Sequence, residues 1–86
     1  MSLLTDNIIP GNQGMIFSTN AKEESDLAVI KRALLTLDGV EDVQINNTVF
    51  PLEFTVFTHS LVSVEDVEKK VNETGFHSIP KNTLNI

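Results

Sequence analysis

The chain has 86 residues, twelve acidic against six basic, a formal net charge of −6 and an apolar fraction of 41%. That length makes one small domain with a thin core, and the acidic balance (sequence pI about 4.6) repels phosphate backbones and anionic lipid, excluding nucleic acid and membrane surfaces as partners. With no cysteine there is no disulfide and no thiolate chemistry; no apolar run approaches the roughly 20 residues of a membrane span, and no basic stretch leads into an apolar core as in a secretory leader, so the expected location is the cytoplasm.

Residues 1–14 read as a flexible N-terminal tail. Pro10-Gly11-Asn12-Gln13-Gly14 is turn chemistry without a period. Leu3, Leu4, Ile8 and Ile9 are its apolar content, and terminal segments fray unless tied down. Residues 15–19 alternate as a strand, with Met15 and Phe17 on one face and Ile16 and Ser18 on the other. Thr19 through Asp26 is then a polar loop opening into a helix. Leu27, Ile30, Ala33, Leu34 and Leu37 fall at helical spacing and make one apolar stripe. Asn20 is the expected N-cap, with Glu23 three residues on; Ser25 is the alternative if the helix starts late. Glu23, Glu24 and Asp26 suit the positive end of the helix dipole. Asp38-Gly39 supplies the stop, because glycine adopts the left-handed conformation that a helix end requires.

Residues 40–45 form the next strand, with Val43 and Ile45 alternating against Asp42, Gln44 and Asn46. Asn46-Asn47-Thr48 signals a hairpin turn. The following strand runs over residues 52–58, after Pro51, with Phe54 and Val56 on one face and Glu53, Thr55 and Phe57 on the other. Residues 59–62 connect to a second helix. Ser63 is its N-cap with Asp66 at the third position. Val64, Val67 and Val71 form its stripe, and Glu65–Lys69 and Asp66–Lys70 are i to i+4 pairs. Thr74-Gly75 ends it. Residues 76–79 make a last strand closed by Pro80, and residues 81–86 are a C-terminal tail or an extension of that edge strand.

The order strand, helix, strand, strand, helix, strand is the ferredoxin-like βαββαβ pattern, an α+β fold with a four-stranded antiparallel sheet and two helices on one face. The opposite sheet face carries Ile16 and Phe57 among polar neighbours and is open to water or a partner.

Within this frame, Ala33-Leu34 followed by Leu37-Asp38-Gly39-Val40-Glu41-Asp42-Val43 resembles the "AL…L-x-G-V-x-x-V" segment of heavy-metal-associated domains, found in copper chaperones and metal-transporting ATPases. Ser63-Val64-Glu65-Asp66-Val67, Val71 and Gly75-Phe76 resemble the same family's second helix and its ending. The resemblance spans residues 15–80. It implies metal ion binding through an M-x-C-x-x-C loop, whose two thiolates suit soft Cu(I). In register, Ala21 stands at the methionine, Glu23 at the first cysteine and Asp26 at the second. Both ligands are therefore replaced by acids, which suit hard cations or simply a helix N-terminus. Phe76 matches a family position near the metal loop and is read as a packing residue or a partner contact.

Other chemistry has less support. His59 and His77 are the only histidines, on a loop and an edge strand, fewer than the three or four ligands of a zinc site. No Ser or Thr has an evident base and orienter, so no enzyme activity is read. The acylphosphatases share the topology but need an arginine loop, and the single arginine, Arg32, lies inside the first helix. RNA-recognition domains need a basic segment that the chain lacks.

The expectation is a protein-interaction module without copper and without a cofactor. Glu23, Glu24, Asp26 and Phe76 form its partner surface, joined by Glu65 and Asp66, and the partner presents a basic surface. Two alternatives stand: metal binding through carboxylates or His59 and His77, and an ACT-like small-molecule regulatory domain. The oligomeric state is read as a monomer or a weak homodimer through the open sheet face.

Overall fold

A computed structural model describes residues 8–9 and 14–81. Its elements are β1 (Ile8–Ile9), β2 (Gly14–Thr19), α1 (Glu24–Leu35), β3 (Val40–Asn46), β4 (Glu53–Thr58), β5 (Val62–Ser63), α2 (Val64–Glu73) and β6 (Ser78–Pro80). β2, β3, β4 and β6 form an antiparallel sheet in the order β3-β4-β2-β6. That is the ferredoxin-like arrangement read from the sequence: the two central strands are each linked to an edge strand by a helical crossover.

Alternation along the strands explains why both helices share one face. Phe17 and Thr19 on β2, Val43 on β3, and Phe54, Val56 and Thr58 on β4 are buried. Leu27, Ile30 and Leu34 of α1, with Val64, Val67 and Val71 of α2, close the same core. At its centre the Phe17 and Phe54 rings stack with centroids 5.3 Å apart and planes inclined by 8°. They are directly opposite in the β2–β4 register, and such a ring pair adds about 1 kcal/mol beyond its burial. On the far face, Ile16, Phe57 and Thr55 are half-buried. The Phe57 ring lies over Gly14, where an added Cβ would come within 2.7 Å of it. Lys81 and Glu53 bridge the same face at 2.6 Å.

Several local expectations are corrected. α1 ends at Leu35, with Thr36 as its C-cap, so Leu37 packs on the core from the turn beyond the helix and not from its stripe. Gly39 has the expected left-handed conformation (φ 98°), but it acts at the entry to β3. β3 carries a bulge between Val40 and Asp42; the extra residue lets Val40 and Val43 both face the core. The Asn46 side chain takes the Thr48 N–H at 3.0 Å, as a turn signal should. The connection nevertheless runs over residues 47–52 before β4 starts.

On α2, Ser63 caps as expected, its hydroxyl accepting from the Asp66 N–H at 3.0 Å. Lys70 pairs with Glu73 at 3.6 Å and not with Asp66. β6 starts at Ser78 and includes Pro80, opposite Phe17. Proline is tolerated there because β6 is an edge strand and its outer side needs no donor. Within the stretch read as a flexible tail, Ile8–Ile9 pairs with Val62–Ser63 and Gly14 opens β2. The rest of that stretch, and residues 82–86, lie outside the described residues.

Two glycines have positive φ but unlike surroundings. A Cβ at Gly39 would meet Val62 Cγ2 at 2.6 Å and Ser60 Oγ at 2.9 Å, whereas one at Gly75 would meet nothing within 4 Å. Gly75→Ala is expected to lower stability by about 1 kcal/mol from backbone strain alone, and Gly39→Ala by at least about 2 kcal/mol; urea denaturation compares them. The Ser78 hydroxyl is buried without a hydrogen-bond partner among the described residues. Ser78→Ala is therefore expected to be neutral or to stabilise by about 0.5–1 kcal/mol in the same assay.

Candidate functional site: the loop after β2

The end of β2 is a junction of three segments, and Thr19 is its centre. This buried threonine donates its backbone N–H to the Leu52 carbonyl at 3.0 Å, from the loop that precedes β4. Its hydroxyl donates to the His77 carbonyl at 2.7 Å and accepts the Ala21 N–H at 3.2 Å. Asn20 completes the clamp: its side-chain oxygen accepts the His77 N–H at 2.8 Å. Asn20 is thus not the helix cap that the sequence pattern predicts. Its side chain is engaged across the sheet, and the cap lies three residues later.

Glu23 is the actual N-cap, with extended backbone (φ −130°, ψ 157°). The Asp26 carboxylate reaches back and accepts from the N–H groups of Lys22 and Glu23, both at 3.3 Å. The N–H groups of the N-cap and of the residue before it are satisfied in this way. Ser25, the alternative cap, lies inside the helix and is exposed. Ala21 is buried at 1% exposure, tucking the loop onto the core. Glu23 and Glu24 remain exposed.

The fold separates other residues that the sequence reading grouped. In the β2–β4 register, Ser18 lies opposite Glu53 and Gly14 opposite Phe57. α1 therefore starts at one end of the sheet, and α2, which follows β4, starts at the other, roughly 17 Å away along the strands. Glu65 and Asp66 belong to that far end and do not join Glu23, Glu24 and Asp26. His59 follows β4 at the far end, where its N–H donates to the Gly39 carbonyl at 3.0 Å, while His77 sits at the Thr19 end. The histidines are not a pair. Phe76 is half-buried and packs on the core.

A soft metal ion does not fit these residues. Neither loop position offers a thiol, and the Asp26 carboxylate accepts hydrogen bonds from the Lys22 and Glu23 N–H groups. No group of three or more His, Cys, Asp or Glu gathers among the described residues.

Beside the loop the structure brings together residues that the sequence reading passed over. Ser18, Thr19, Asn20, Ala21 and Lys22, the tip Phe50-Pro51, and His77 with Ile79 surround a cavity of about 370 Å³. Phe50 is 79% exposed and Ile79 67%. The available signal was Val49-Phe50-Pro51, an apolar triplet in a connection where polar residues are the rule.

Among solved structures, the chain is similar to the N-terminal domain of PacS from Synechocystis PCC6803. The TM-score is 0.68 at 18% identity, over 81% of this chain and 98% of that one. It is also similar to the apo form of the heavy-metal-associated domain of the copper chaperone for superoxide dismutase. There the TM-score is 0.66 at 19% identity, over 91% of this chain and 82% of that one. No protein-family model matches the sequence, and no curated protein does. The fold is that of the heavy-metal-associated, copper-chaperone-like domains. No helix among the described residues is long and apolar enough to cross a membrane.

Thr19→Val keeps the shape and removes the hydroxyl, leaving the His77 carbonyl and the Ala21 N–H without their partner. It is expected to lower stability by about 2 kcal/mol, and Asp26→Ala by about 1 kcal/mol through loss of the cap. Amide hydrogen exchange separates the two: Thr19→Val loosens β6 and residue 77, whereas Asp26→Ala loosens the first turn of α1.

Proposed function

We propose that this chain, with the fold of a heavy-metal-associated domain, is a protein-interaction module of the cytoplasm that carries no copper and catalyses no reaction. One observation supports the reading above the others. The residue at the second ligand position, Asp26, turns its carboxylate onto the N–H groups of Lys22 and Glu23. The loop thus serves the helix N-terminus in the place where the resembled family serves a soft ion, and without thiolates Cu(I) has no favoured ligand there.

The partner surface is the exposed start of α1. Glu23 and Glu24 are free of ion pairs among the described residues, and with a net charge of −6 they favour a basic partner. Phe76, which packs on the core, is the apolar residue assigned to the same contact. Alone, the chain is a monomer or a weak homodimer through the open sheet face around Ile16 and Phe57.

Metal titration tests the first half. Under reducing conditions the protein is expected to give no saturable Cu(I) binding at micromolar concentration, while the double substitution Glu23→Cys and Asp26→Cys creates it. Tight Cu(I) binding by the unaltered protein would sink the reading; a double variant that binds none would show that the register assigned to this loop is wrong. An array of basic and acidic peptides tests the second half. Retention on basic peptides is expected, falling about tenfold with Glu23→Lys and Glu24→Lys together and lost near about 0.5 M salt. Retention indifferent to both changes would overturn the charge-based surface.

A further inference from the structure

We infer that the cavity at the Thr19 end of the sheet is a binding site for a small uncharged apolar molecule, a role separate from the protein contact proposed above. Its volume of about 370 Å³ falls within the roughly 300–1,000 Å³ of sites that enclose small ligands. The surface turned toward it is almost entirely apolar. Ala21, Phe50, Pro51 and Ile79 supply part of that surface. Phe50 and Ile79 are also among the most exposed large apolar side chains described, and a ligand held against them would take both out of water. Two such side chains fall well short of a protein docking surface, which needs about 800 Å² on each partner. A concave space of this volume needs only one small molecule to fill it.

The lining also includes residues that are polar by type, Thr19, Asn20 and His77 among them. Their hydrogen bonds run within the protein. The Thr19 hydroxyl is engaged by the His77 carbonyl and the Ala21 N–H, and the Thr19 N–H by the Leu52 carbonyl. The Asn20 side-chain oxygen is engaged by the His77 N–H. The clamp that joins the three segments therefore takes up polar groups that would otherwise be offered to a ligand, and leaves a space walled by carbon. A charged or strongly hydrogen-bonding molecule would give up its hydration there and gain no partner in return. An uncharged apolar one loses nothing on entry and gains the removal of its own surface and of the walls from water. The walls are also held in place before any ligand arrives. Thr19 ties the loop before β4 and the segment before β6 to the end of β2, so little ordering remains to oppose binding.

Titration of the uniformly ¹⁵N-labelled full chain with 1-butanol, 1-pentanol and 1-hexanol, followed by amide NMR shifts, tests the inference. Saturable shifts confined to residues 18–22, 50, 77 and 79 are expected, with affinity rising about fourfold for each added methylene. The matched 1,6-hexanediol must place one hydroxyl in the apolar space whichever end enters, and is expected to bind about tenfold more weakly than 1-hexanol. Ile79→Ser removes part of the wall at an exposed edge position and is expected to weaken 1-hexanol about tenfold. Leu61→Ser, at a similarly exposed position beyond the far end of β4, is expected to leave it unchanged. The dispersion of each variant's spectrum reports whether it is folded. Shifts that do not saturate, shifts that map elsewhere, or equal affinity for 1-hexanol and the diol would overturn the site. Shifts at the same residues on concentrating the protein without alcohol would mean that a second copy fills the space, and would overturn it as well. The titration contains neither metal nor partner protein, so its failure leaves the interaction reading intact.

Discussion

The Thr19 side chain is the constraint on which the rest of this end of the molecule depends. One hydroxyl closes the turn at Ala21 and holds the carbonyl of His77, 58 positions away in the chain. The same residue's backbone N–H fixes Leu52. Three segments that meet without regular secondary structure are therefore bound to one buried point. A threonine can do this because its hydroxyl donates and accepts at once, satisfying two backbone groups that burial would otherwise leave unpaired.

That clamp orders the loop through groups of the protein itself. In a loop held by a bound ion, the ion supplies part of the energy that orders the backbone. Here the ordering comes from the Thr19 and Asn20 hydrogen bonds across the sheet, from the buried Ala21, and from the Asp26 carboxylate at the helix start. The acids at the two aligned ligand positions have different duties. Glu23 occupies the cap position and stays exposed, while Asp26 is half-buried and bonded to the backbone. Glu24, beside them, is exposed.

The opposed directions of the strands decide what can act together. Because β2 and β4 are antiparallel neighbours, the helices that follow them begin at opposite ends of the sheet. The acidic groups at the start of α1 and of α2, and the two histidines, are divided between those ends. What gathers at the Thr19 end instead is an apolar space rimmed by Lys22, His77 and Phe50.

Much of the architecture was legible in the chain itself. The 2-residue period of Met15–Phe17 and Phe54–Val56, the helical stripes Leu27–Ile30–Leu34 and Val64–Val67–Val71, and the stop at Gly75 are local properties, each set by residues a few positions apart. They determined the element order, the core and the ferredoxin-like class, and the absence of cysteine removed a thiolate site. The tertiary structure decided the rest, because those features join residues far apart in sequence. Asn20 looked like a cap until His77 claimed its side chain, since a hydrogen bond across 57 positions outcompeted a local one. The bulge before Asp42, the pairing of Ile8–Ile9 with Val62–Ser63, and the cavity between Lys22, Phe50 and Ile79 depend on strand register. Register is set by the packing of the whole sheet, which no short window of sequence contains.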